Sequence, residues 1–141
     1  MDDPRQRRSM LWVFVMFNML AADVISFLDG AFLRGLLEGR AGDVEISGAF
    51  LLAAAIMIEI PISMIVLSRV LAGRWDRIAN VVAAAFTAAF VMFGGSGSLH
   101  YVFFASVEIA ALGLIAWSAW APRQRPAQEP AEGPDRQAVP A

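Results

Sequence analysis

The sequence predicts an all-α membrane protein: a bundle of four transmembrane helices with both termini in the cytoplasm. The chain of 141 residues is 58% hydrophobic and only 17% charged, whereas soluble domains carry about 25% charged residues. Its apolar residues fall into four long runs, as expected for helices that cross a hydrocarbon core of roughly 30 Å. Arginines concentrate in alternate connections between these runs, which indicates the orientation.

The elements follow in order along the chain. We predict a cytoplasmic head over residues 1–8, and a disordered proline-rich tail over 121–141, which holds five of the seven prolines. Between them we place four transmembrane spans, over residues 9–28, 46–68, 78–93 and 99–120. The connection over 29–45 carries apolar residues at helical spacing, which indicates a short amphipathic segment at the membrane interface.

The arginines predict which side of the membrane each connection faces. Eight lie in the head, in the loop after the second span and at the start of the tail. The connection after the first span has two, and the GGSGS turn after the third has none. Cytoplasmic loops carry an excess of Lys and Arg, so both termini are expected inside the cell.

Composition excludes several classes of function. The chain has no cysteine and a single histidine, His100, which rules out disulfides, thiol redox chemistry and haem held by two histidines of one chain. A net charge of −2 gives no basic excess for nucleic acid. No nucleotide-binding loop, nucleophile motif or HExxH is present. We therefore assign no catalytic residue, metal site or cofactor.

Three carboxylates inside three different spans are the candidate functional residues: Asp23, Glu59 and Glu108. A carboxylate at the centre of a bilayer costs roughly 2.5–3.5 kcal/mol, and we expect no Lys or Arg inside the spans to offset it. Counting about 1.5 Å per residue, Asp23 and Glu108 lie roughly 7 Å and 2 Å to the outer side of the midplane, and Glu59 roughly 3 Å to the inner side. We predict a staggered cluster in which at least one or two acids are protonated and donate hydrogen bonds.

Helix periodicity adds two residues to this cluster. Ser63 lies one turn after Glu59 on the same face, and Tyr101 shares a face with Glu108. Pro61 frees the carbonyl of the residue four positions earlier, close to Glu59. Asn18 lies about 140° around its helix from Asp23, so we expect it to make an interhelical hydrogen bond with a different neighbour.

Several short segments of the chain are distinctive in combination. They are LW at Leu11–Trp12, AD at Ala22–Asp23, IPISMI at Ile60–Ile65, RWDRIAN at Arg74–Asn80, and YVFFASVEI at Tyr101–Ile109 followed by Trp117 and Trp120. With these segments the chain resembles an uncharacterised bacterial family of small four-helix membrane proteins, domain of unknown function 6326. The segments cover roughly residues 10 to 120. The resemblance implies a four-span layout and a multi-pass protein of the bacterial inner membrane, but it implies no activity.

Three hypotheses for function stay open at this stage. The first hypothesis is a non-enzymatic integral membrane protein of unknown activity, in which the acid cluster has a structural role. Alternatively, it serves a small transporter or a binding protein coupled to protons or cations. The third hypothesis is a membrane enzyme that uses the acids on a lipid-like substrate. The expected partners are the lipid bilayer and a second copy of the chain, through the alanine-rich third span.

Overall fold

A computed structural model describes residues 3–95 and 97–121 of the protein. The elements are α1 (Pro4–Ser26), α2 (Gly30–Leu37), β1 (Arg40–Ala41), β2 (Val44–Glu45), α3 (Gly48–Val70), α4 (Gly73–Gly94) and α5 (Leu99–Trp120). Helices α1, α3, α4 and α5 are each long and apolar enough to cross a membrane. The predicted all-α fold is therefore confirmed, and the predicted tail beyond Ala121 lies outside the described residues.

The four long helices form a closed ring. Helix α1 packs against α3 and α5, and α4 packs against the same two helices. Consequently α1 lies diagonally opposite α4, and α3 lies diagonally opposite α5. Both described chain ends lie at one end of the bundle, called here the terminal end. The opposite end, called the hairpin end, carries α2 and the two short strands.

The core of the bundle combines alanines with a few large side chains. Its buried apolar residues are Trp12, Val15, Met64, Ala83, Ala84, Ala111, Leu112 and Ile115. Large apolar side chains such as Phe17, Leu52 and Phe103 are instead more than half exposed on the outside of the bundle. Small residues let helices approach closely in a bilayer, where lipid tails solvate the large ones.

Helix starts are set by capping residues. The Asp3 side chain accepts a hydrogen bond from the backbone N–H of Arg5 at 2.9 Å, and Pro4 follows at the first helical position. A polar N-cap followed by proline favours a helix start. Helix α1 thus begins at Pro4, whereas the first predicted span begins at residue 9. Helix α4 begins at Gly73, whereas the third predicted span begins at residue 78. Ser47 caps α3 through the N–H of Phe50.

The connection between α1 and α3 forms its own small unit at the hairpin end. Asp29 caps α2 by accepting hydrogen bonds from the backbone N–H groups of Ala31 and Phe32, which lower the pKa of its carboxyl group. Strands β1 and β2 pair in antiparallel register, with Ala41 opposite Val44. Gly42 opens the two-residue turn between them at φ +61°, a conformation that glycine adopts without strain.

Candidate functional site

Glu108 lies inside the bundle, close to the middle of α5. It is 3% exposed, and its carboxylate accepts a hydrogen bond from the Asn18 side chain of α1 at 3.0 Å. The same amide nitrogen donates to the backbone carbonyl of Phe104 at 3.0 Å. The predicted interhelical hydrogen bond of Asn18 is confirmed, but the expected separate neighbour is wrong, because its partner Glu108 is also the neighbour of Asp23.

Asp23 and Tyr101 complete this group, named here the Glu108 site and consisting of Asn18, Asp23, Tyr101 and Glu108. The carboxyl groups of Asp23 and Glu108 lie close enough to interact electrostatically with each other and with Tyr101. Asp23 is exposed at the edge of the bundle, whereas Glu108 is buried. The Tyr101 hydroxyl donates to the backbone carbonyl of Val91 at 2.7 Å, and so ties α5 to the end of α4.

His100 closes the hairpin end of the Glu108 site. Its Nε2 atom lies 3.3 Å from the Ser26 hydroxyl of α1 and 3.3 Å from the Ser98 hydroxyl. Burial of the polar side chains therefore increases from the hairpin end toward the middle of the bundle: Asp23 is exposed, His100 is half-buried and Glu108 is buried. Such a gradient gives a proton or a small cation a polar approach from one side.

Glu59 does not belong to this site, which corrects the predicted cluster of three acids. It is exposed on the outer surface of α3, and no hydrogen bond or ion pair joins its side chain to another described residue. The inward face of α3 consists of Pro61, Met64 and Ser68 instead. Ser63 is half-buried beside Glu59 and likewise makes no side-chain hydrogen bond within the described part of the chain.

A second buried polar group occupies the terminal end. It is named here the terminal-end network and consists of Arg8, Trp12, Ser68, Asp76 and Asn80. The Arg8 guanidinium forms an ion pair with Asp76 at 2.6 Å, and both side chains are 3% exposed. Asn80 Oδ1 accepts from the Trp12 indole N–H and from the Ser68 hydroxyl, each at 2.9 Å. Its Nδ2 donates to the Asp76 carboxylate at 3.0 Å.

The terminal-end network was missed in the sequence. We expected no Arg within a span, but Arg8 lies within α1 and is buried. Asp76 and Asn80, one helical turn apart in the RWDRIAN segment, were a usable signal for a polar face. Nothing in the sequence pairs residue 8 with residue 76, because that contact depends on the diagonal arrangement of α1 and α4.

Thr87 provides one further polar atom in the bundle interior. Its hydroxyl is buried and has no hydrogen-bond partner among the described residues. It lies on the inward face of α4. Counting about 1.5 Å per residue from the middle of each helix, its depth matches that of Glu108 to within roughly 3 Å.

One groove on the described part of the bundle is apolar and offers no polar group on which to build chemistry. This groove of about 420 Å³ lies between α3 and α4 and is lined by apolar side chains, among them Ile60, Trp75 and Phe86. Among the described residues, no group of three or more His, Asp or Glu side chains could hold a metal ion. The Glu108 site is therefore the candidate functional site, and the terminal-end network is a structural element.

Comparison with known proteins places the chain in a family without assigning an activity. No curated protein and no solved structure matches it significantly. The sequence profile of a family of unknown function (DUF6326) matches residues 1–127, which include every described residue. The four apolar helices are consistent with an integral membrane protein. The chain belongs to the DUF6326 family, a family of unknown function.

Proposed function

We propose that this protein resides in the bacterial inner membrane and binds a proton or a monovalent cation at Asp23 and Glu108. The supporting observation is a contrast between its two buried carboxylates. Asp76 lies against the Arg8 guanidinium, so its charge is compensated within the chain. Among the described residues, Glu108 has one side-chain donor, the neutral Asn18 amide, and a second carboxyl nearby. A buried carboxylate without a basic partner is costly, and a bound cation or proton offsets that cost.

The arrangement of the site supports uptake from the outer side of the membrane. The distribution of arginines favours a cytoplasmic terminal end, which would make the hairpin end the outer face. Asp23 is exposed and lies one turn from the hairpin end of α1, whereas Glu108 is buried near the middle of α5. An ion entering from outside would meet Asp23 first and then Glu108. The free Thr87 hydroxyl at similar depth would supply a further oxygen ligand.

The competing hypothesis is a structural clasp, in which Asn18 and Glu108 simply hold α1 against α5. Both amide hydrogen bonds of Asn18 would serve that role. Polar contacts of this kind contribute about 0.6 kcal/mol on average in membrane bundles. The structural hypothesis does not explain Asp23, because the Asp23 carboxyl accepts no hydrogen bond from the described residues. The binding hypothesis uses both acids.

The test compares Glu108→Gln and Asp23→Asn with Glu59→Gln, a matched control in which the altered carboxyl lies outside the site. Thermal unfolding of the purified protein is measured in sodium, potassium and choline chloride of equal ionic strength. A cation at about 100 times its dissociation constant stabilises the folded state by about 2.7 kcal/mol. We expect both site variants to lose that cation-specific stabilisation and the control to keep it.

Protonation is tested on the same variants in liposomes that carry a pH-sensitive dye. If the site exchanges protons, Glu108→Gln and Asp23→Asn should abolish proton flux while Glu59→Gln preserves it. The proposal fails if the wild-type protein shows neither cation-specific stabilisation nor proton flux. It also fails if the site variants lower stability equally in all salts and leave flux unchanged, which is the result that a clasp predicts.

A further inference from the structure

Glu59 is the feature of the structure that the Glu108 site leaves unexplained. It is the middle residue of α3, with eleven helical residues on either side, so it lies at the centre of the membrane-spanning segment. Its side chain is on the outside of the bundle and contacts no polar group of the described chain. In a lone bundle this carboxyl would face acyl chains, at a cost of roughly 2.5–3.5 kcal/mol.

The residues around Glu59 form a continuous outward stripe. It is named here the α3 stripe and consists of Leu52, Ala55, Glu59, Ile62 and Val66, all exposed. Their spacing alternates between three and four residues, which is the seam spacing of two helices packed side by side with a small left-handed crossing. A polar residue at one seam position fixes the register of such a pair.

We propose that a second copy of this chain covers the α3 stripe, with the two Glu59 carboxyl groups hydrogen-bonded to each other across a two-fold axis. Two copies inserted in the same orientation have their Glu59 residues at the same depth in the membrane. An unrelated partner has no such guarantee of a polar group at that depth. A carboxyl group that carries a proton donates one hydrogen bond and can accept others, so it is complementary to its own copy. In a two-fold interface the same patch meets itself.

The small Ala55 side chain favours this arrangement. It lies one turn before Glu59 on the stripe. A small side chain there lets the two helix backbones approach closely, which brings the two Glu59 carboxyl groups within hydrogen-bond distance. The alanine-rich α4 is a weaker candidate interface than we expected. Ala84 is buried inside the bundle, and the outward face with Ala85 and Ala89 carries no exposed polar residue that needs a partner, since Thr87 between them faces inward.

The absence of cysteine in the chain allows a direct test by disulfide cross-linking in native membranes. Ile62→Cys places a thiol on the stripe. Leu114→Cys places one on the outside of α5, where the native side chain is 52% exposed against 40% for Ile62. We expect mild oxidation to give a covalent dimer with Ile62→Cys and none with Leu114→Cys.

The role of the carboxyl is tested in the same background. Dimer fraction is measured by resonance energy transfer at graded protein-to-lipid ratios. Glu59→Leu should weaken association by at least about threefold, since it removes the interhelical hydrogen bond. Glu59→Gln should retain association, because amide groups also pair with each other. Both variants should fold, since the side chain lies outside the bundle.

Three results would overturn the proposal. The first is cross-linking at Leu114→Cys without cross-linking at Ile62→Cys. The second is efficient dimer formation through Ala85→Cys alone, which would locate the contact on α4. The third is association of Glu59→Leu equal to that of the wild type, which would show that the stripe associates without its carboxyl. The proposal does not depend on ion binding at Glu108, because Glu59 lies outside that site.

Discussion

At the residue scale, the ion pair between Arg8 and Asp76 predicts a large and specific effect on stability. Arg8→Ala would leave Asp76 buried without its guanidinium partner. Removing one member of a buried ion pair costs about 3–5 kcal/mol. Replacing the adjacent, exposed Arg7 with Ala should cost less than about 0.5 kcal/mol. Denaturant unfolding in detergent measures both changes.

A double variant distinguishes the pair from general damage to the terminal end. Arg8→Ala combined with Asp76→Ala should lose less stability than the two single changes added together, because no lone charge stays buried. Additive losses would contradict the view that the two charges compensate each other. The other bonds of the network, through Asn80 to Trp12 and Ser68, stay available in all of these variants.

The buried and outward residues show where sequence reasoning succeeds and where it stops. Burial of Glu108 and the hydrogen bond of Asn18 follow from polar side chains placed inside apolar helices. The prediction that Glu59 faces the bundle interior was wrong, and the reason is physical. Helix α3 is apolar on all sides, and both lipid and core accept apolar residues, so its sequence does not mark which face turns inward.

At the element scale, the connection between α4 and α5 depends on Gly95. A Cβ atom at this position would overlap the ring of Tyr101, whose hydroxyl is bonded to Val91. Gly95→Ala should displace the ring and break that bond, and a lost hydrogen bond of this type costs about 1 kcal/mol. Gly97→Ala is the matched control, since nothing lies within 4 Å of its Cβ position. Thermal unfolding of the two variants should separate them, and equal unfolding temperatures would refute the role of this contact.

Helix boundaries also belong to this scale, and part of their signal was present in the sequence. Asp3 followed by Pro4 is a typical helix start, and it explains why α1 includes residues that we assigned to a polar head. The early start of α1 has a consequence for packing, because it carries Arg8 into the bundle, where it reaches Asp76. The position of Asp76 within α4 likewise depends on the start of that helix at Gly73.

At the scale of the whole molecule, polar groups divide the bundle into two layers. The terminal-end network joins α1, α3 and α4, and Arg8 and Arg77 add hydrogen bonds to the carbonyls of Ser118 and Ala119 in α5. All four helices are thus tied together at that end. The Glu108 site joins α1 to α5 through Asn18 and α5 to α4 through Tyr101, and no described side chain of α3 takes part in it. We therefore infer that the terminal end is the more rigid one and that the hairpin end has more freedom to admit an ion.

This division has a direction in the membrane, which thiol labelling in a cysteine-free chain can establish. Asp43→Cys places a thiol in the turn between β1 and β2, and Ala72→Cys places one between α3 and α4; both native residues are exposed. The excess of arginine at the terminal end predicts that Ala72 faces the cytoplasm. An impermeant maleimide should therefore label Asp43→Cys in intact cells and label Ala72→Cys only after the membrane is opened. The reverse pattern would place the Glu108 site on the cytoplasmic side, so that an ion would reach Asp23 from inside the cell.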